Sequence, residues 1–118
     1  MQEIDPIYYN KLGICFYWKR GTVKDIQKVQ LVFRDSCILL SPEELHKFYD
    51  SISTLATEPP LCSDCKENDS CRSLLLETPI PQLCFAVSYK ELQGISDLIR
   101  GTLFQLDLEK YLDKLCGN

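Results

Sequence analysis

Cys62, Cys65 and Cys71 fall within the polar run CSDCKENDSC, just after Pro59, Pro60 and Leu61. Thiolates at C-x-x-C spacing can clasp zinc, and a nearby third cysteine would supply a further ligand. A structural zinc site takes four ligands, so the last would come from Cys15, Cys37, Cys84, Cys116 or the single histidine, His46. Economy favours a metal, because a polar loop has little to bury and an ion would order it. A convincing zinc pattern has two such knuckles, whereas this chain has one. The preferred reading is therefore a mobile bridge with exposed thiols, and zinc held by Cys62, Cys65 and Cys71 is the alternative.

Other chemistry fits less well. A reactive thiol needs a cation or a helix N-terminus beside it, but Asp64, Glu67 and Asp69 surround this pair and oppose thiolate formation. Iron–sulfur ligation lacks a fourth cysteine within the run. Cys37 and Cys84 occupy matching positions in two similar segments and read as small apolar packing groups. Cys116, next to Gly117, reads as incidental, and His46 as a surface residue near Glu43, Glu44 and Asp50. The sequence contains no H-E-x-x-H, no G-x-S-x-G and no Walker-type glycine loop, and its five glycines are scattered. It nominates no catalytic residue and no cofactor-binding residue, and a non-enzymatic role is expected.

These cysteines must be carried by elements that the rest of the sequence defines. At 118 residues the chain fits a single domain, 1–118, able to bury a core without staples. A formal charge of −4, with no clustered Lys and Arg, argues against nucleic acid and anionic membranes as partners. Phe16, Tyr17 and Trp18 beside Lys19 and Arg20 could stack on bases, but without a wider basic surface they read as a half-buried strand. The acidic N-terminal residues lack the basic segment and apolar run of a secretory signal, and no run reaches transmembrane length. A cytoplasmic location with reduced thiols is expected, and seven cysteines cannot all pair within one chain.

Two segments resemble each other. Aligning 35–52 with 82–99 gives six identities: Cys37/Cys84, Ser41/Ser88, Glu44/Glu91, Leu45/Leu92, Asp50/Asp97 and Ile52/Ile99. Each serine stands three residues before its glutamate, the spacing of a capping box at a helix start. Pro42 suits the first helical position. Leu45, Phe48, Tyr49, Ile52 and Leu55 follow helical spacing after the first cap, as do Leu92, Ile95, Leu98 and Ile99 after the second. Apolar runs precede each cap. The first spans 29–34, turning at Asp35 and Ser36 into 37–40, and the second spans 72–77, turning through Thr78 to Pro81 into 83–87. A strand at 14–18 and a last helix capped by Asp107 complete the expectation.

The fold expected is α+β: duplicated ββα units, an internal repeat of 28–55 and 72–102, forming a mostly antiparallel sheet with the helices on one face. The cysteine-bearing loop 56–71 joins them. Alternation puts Ile38, Leu40, Phe85 and Val87 toward the helices and Cys37, Leu39, Cys84 and Ala86 on the second face. That face is apolar enough to need cover, from the N-terminal segment with Ile7, Tyr8 and Tyr9 or from another chain.

The residues 28–52 and 72–102, with LVFRDSCILLSPEEL and RSLLLETPIPQLCFAVSYKEL, resemble small uncharacterised bacterial proteins sharing a strand, an S-x-E-E-L helix and an R-x-[IL]-x-x-x-T-P strand. The resemblance covers about half the chain and implies the same fold, with no activity attached. Those proteins carry further cysteines near the first strand, whereas Cys15 here is followed by Phe16, Tyr17, Trp18 and Lys19. The function expected is a non-catalytic interaction or structural module. It would form a homo-oligomer or bind a protein partner through the apolar sheet face or a sheet edge. On the bridge reading, protein purified without chelators contains no stoichiometric zinc by elemental analysis. One zinc per chain, lost when Cys62, Cys65 and Cys71 are replaced by serine, would establish the metal instead.

Overall fold

Alternating runs such as SCILL and CFAV can satisfy water and core together only as strands with one face covered. The computed structural model of the chain, which describes residues 3–20, 23–24, 28–57 and 71–116, builds them that way. Strand β1 (Glu3–Tyr9) pairs with β2 (Gly13–Arg20), which also pairs with the short β3 (Val23–Lys24). β2 then pairs with β4 (Val29–Phe33), and β4 with β5 (Ser36–Leu40), giving an antiparallel sheet ordered β1-β2-β4-β5. Helix α1 (Pro42–Thr57) follows. A two-stranded antiparallel ribbon, β6 (Leu74–Glu77) with β7 (Cys84–Val87), leads into helix α2 (Tyr89–Leu115).

The fold class is α+β, and the hairpin-then-helix order occurs twice. Ile38, Leu40, Phe85 and Val87 are buried, while Cys37, Leu39, Cys84 and Ala86 are exposed, so the alternation read from the sequence sorts the two faces. One core joins Cys15, Tyr17, Val29, Leu31 and Phe33 of the sheet to Leu45, Phe48 and Ile52 of α1 and to Leu92, Ile95, Leu98 and Ile99 of α2. Both capping boxes are formed. Ser41 N donates to Glu44 Oε1 at 2.9 Å, and Glu44 N to Ser41 Oγ at 3.2 Å. The corresponding bonds of Ser88 and Glu91 are 3.0 and 3.1 Å. Each box satisfies two amides that a helix start otherwise leaves without partners.

Four details differ from the expectation. The two hairpins do not share one ladder: the first joins β2 through β4, and the second forms a separate two-stranded sheet. The second hairpin meets the first through side chains instead, with the Phe33 and Phe85 rings 5.2 Å apart. The N-terminal segment does not cover the second face. It adds an edge strand, and its Ile7 and Tyr8 pack on the core. The β4–β5 turn lies at Arg34 and Asp35, one residue early, with Arg34 at φ 53°. Finally, Asp107 caps nothing: α2 is one helix of 27 residues, about 40 Å long at the usual rise. The helix runs through Asp107 without interruption, and within it Gly101 is used for close packing.

That use is steric. A Cβ at Gly101 would stand 2.5 Å from the Tyr8 ring, whereas one at Gly94 would overlap only the end of the Leu12 side chain. An aromatic ring cannot bend away, but a leucine can change rotamer. Alanine in a helix gains about 1 kcal/mol over glycine, and overpacking costs about 1–3 kcal/mol. Gly101→Ala is therefore expected to destabilise the chain in urea titrations, while Gly94→Ala stays within about 1 kcal/mol of the parent.

Candidate functional site

The start of α2 collects the longest-range polar contacts. Glu91, placed by its capping box, is almost fully buried, and its carboxylate receives Arg72 in a two-point contact. Arg72 Nε donates to Oε1 at 2.9 Å and Nη2 to Oε2 at 3.2 Å. Arg34 Nη1 approaches Oε2 at 3.5 Å, while its Nη2 donates to the Ala86 carbonyl at 3.1 Å. One carboxylate thus joins the first hairpin turn, the segment before β6 and the N-terminus of α2. Burial raises the Glu91 pKa. The Arg72 hydrogen bond, the Ser88 amide and the charges of Arg34 and Arg72 outweigh it, leaving the carboxyl below its usual range.

Nearly two turns further on, Asp97 receives the Tyr8 hydroxyl at 3.1 Å and Asn10 Nδ2 at 3.1 Å. Asn10 also donates to the Gly94 carbonyl at 2.8 Å. The Asn10 hydrogen bond is the main cause of a lowered Asp97 pKa, with Tyr8 and Arg100 assisting against partial burial. The hydrogen bond to Asp97 raises the pKa of Tyr8. Between these groups lies an open groove of about 520 Å³, lined by Asn10, Leu12, Arg72, Ser88, Glu91 and Gly94. Both carboxylates are held ionised and already accept several donors. They act as ties that seat the β1–β2 tip and the second hairpin on α2, and they are poorly suited to carrying a proton in catalysis.

The thiols are dispersed. Cys62 and Cys65 lie outside the described residues, as does most of the bridge 56–71. Cys71 is half-buried, with its thiol 3.5 Å from Ser73 Oγ. Cys15 is fully buried, and desolvation pushes its pKa up to about 11. Cys37, Cys84 and Cys116 are exposed. His46 is exposed on α1, beside a small cleft shared with Asp107, Lys110 and Asp113 of α2. Among the described residues, no three His, Cys, Asp or Glu side chains converge where they could hold a metal.

Among the described residues, several large apolar side chains are exposed together on α2. Beyond Leu106 the helix α2 outruns the core, and Phe104, Leu108, Tyr111, Leu112 and Leu115 are 63, 38, 59, 49 and 66% exposed. They share one side of the helix, away from Thr102 and Leu106. Among the described residues, no helix is long and apolar enough to cross a membrane. Comparison of the chain with protein-family models, with curated proteins and with solved structures finds no match.

The capping boxes were visible in sequence, but the convergence of Arg34 and Arg72 on Glu91 was not, since neither arginine is near it in the chain. Gly94 and Gly101, seven residues apart in an otherwise helical run, were the signal for a close approach on that side.

A depressed carboxylate stabilises the fold above its unfolded-state pKa, and that contribution fades as pH falls through the lower folded-state value. Glu91→Gln is expected to cost about 2 kcal/mol at neutral pH, the scale of a lost charged hydrogen bond. Against a normal carboxyl value of 4.5, the gap between parent and variant should narrow as the medium is acidified below that point. Urea denaturation across a pH series measures it, and an equal gap at both ends would exclude the assignment.

Proposed function

We propose that the chain is a non-catalytic interaction module and that the projecting half of α2 is its binding surface. The observation that carries this reading is the row of five large apolar side chains from Phe104 to Leu115, exposed on one side of a helix whose first half is anchored in the core. Scattered apolar residues on a surface are ordinary, whereas a contiguous row marks a contact region. The anchored half also holds the free half in helical form, so binding loses little ordering entropy.

The sheet offers a weaker case. The β1 edge carries Glu3, Asp5 and Pro6 and a register irregularity between Pro6 and Tyr8, features that discourage a further strand. On the outer face, Leu39 and Leu75 belong to two separate sheets. Cross-linking in cells tests the reading, with a photoreactive phenylalanine analogue placed at Tyr111 or, as a control, at exposed Glu43. Protein adducts are expected at position 111 and not at 43. Equal yields at both, or none at either, would remove it.

A further inference from the structure

The exposed row on α2 continues a contact that the chain already makes with itself. Gly94, Gly101, Leu108 and Leu115 recur every seven residues, and Asp97, Phe104 and Tyr111 recur between them. This is the alternating 3,4 spacing of a helix seam that faces another element along its length. The first three positions of the seam are occupied from within the chain: Leu12 lies over Gly94, Asn10 and Tyr8 bond to Asp97, and the Tyr8 ring lies on Gly101. From Phe104 onward the seam continues uncovered.

Resting on the interaction reading above, we propose that a second copy of this chain covers this half, its α2 lying antiparallel against the first. In that pairing Phe104 meets the partner's Leu115, and Leu108 meets the partner's Tyr111. By the two-fold symmetry of such a contact each layer occurs twice. Charge selects the direction. Positions flanking an antiparallel seam face their own kind across it, which brings exposed Asp107 opposite the partner's Lys114, and Lys114 opposite the partner's Asp107. On the other flank, Leu112 lies against the partner's Gln105. A parallel pairing would instead set Asp107 against the partner's Leu112 and form neither ion pair. The seam is short, so the interface belongs among the small specific contacts, below about 1,200 Å² in total. The dimer should dissociate reversibly on dilution.

Sedimentation equilibrium of the whole chain, from about 1 µM to 1 mM, tests the proposal. A monomer–dimer equilibrium is expected within that range. Asp107→Lys and Lys114→Asp should each weaken it about tenfold, since each turns two attractive pairs repulsive. The double reversal should restore it to within about threefold. All three changes are on the surface, and circular dichroism should show unchanged helix content. A chain that stays monomeric throughout, a dimer that survives Leu108→Asp, or a double variant no better than the singles would each overturn the second-copy proposal. Adducts at position 111 formed only with other proteins would also overturn it, while leaving the interaction reading intact. Absence of adducts specific to position 111 would remove the interaction reading itself.

Discussion

The seating of α2 along β2 is the contact on which the rest of the molecule depends. Gly13 lies against Leu98, Cys15 lies beside Thr102, and Tyr17 lies near Leu106 and Glu109. A strand rises about twice as far per residue as a helix, so two residues of β2 advance about as far as four of α2. The register therefore repeats along the contact. The apolar side of β2 ends as the strand passes into Lys19 and Arg20, while the helix continues to Leu115. One partner is shorter than the other, and the remainder of the helix leaves the body.

Two carboxylates fix what the apolar contact leaves loose. Hydrophobic packing is non-directional and would tolerate some sliding of α2 along the sheet. The bonds of Glu91 to Arg72, and of Asp97 to Tyr8 and Asn10, join α2 to distant parts of the chain with defined geometry. Their depressed pKa values follow from the donors gathered around them. Perturbed titration can mark a catalytic centre, but structural networks produce it too. Here the saturation of both carboxylates by donors supports the structural account. Arg34 adds a local cost to the same network, since its φ of 53° is a conformation glycine adopts far more easily.

Local signals were legible in the sequence and long-range ones were not. Ser41 with Glu44, and Ser88 with Glu91, announce helix starts because a capping box is complete within four residues. Alternation in β5 and β7 gave the buried face, since strand periodicity depends on nothing further away. The length of α2 was misread because Asp107 resembles a cap. The structure uses Gly101 to admit Tyr8, a residue more than ninety positions earlier. β1 was missed as a strand because Pro6 interrupts its pattern, which an edge position tolerates. Of the cysteine cluster, Cys71 alone falls among the described residues.

The burial of Cys15 gives the protein a built-in gauge of its own opening. Cys37, Cys84 and Cys116 are open to an alkylating reagent in the native state, whereas the Cys15 sulfur is shielded on the helix side of β2 and is kept protonated by its surroundings. It can react only when the long helix lifts from the strand. The rate at which that one thiol is alkylated therefore measures how often the central contact comes apart, with no substitution introduced into the chain.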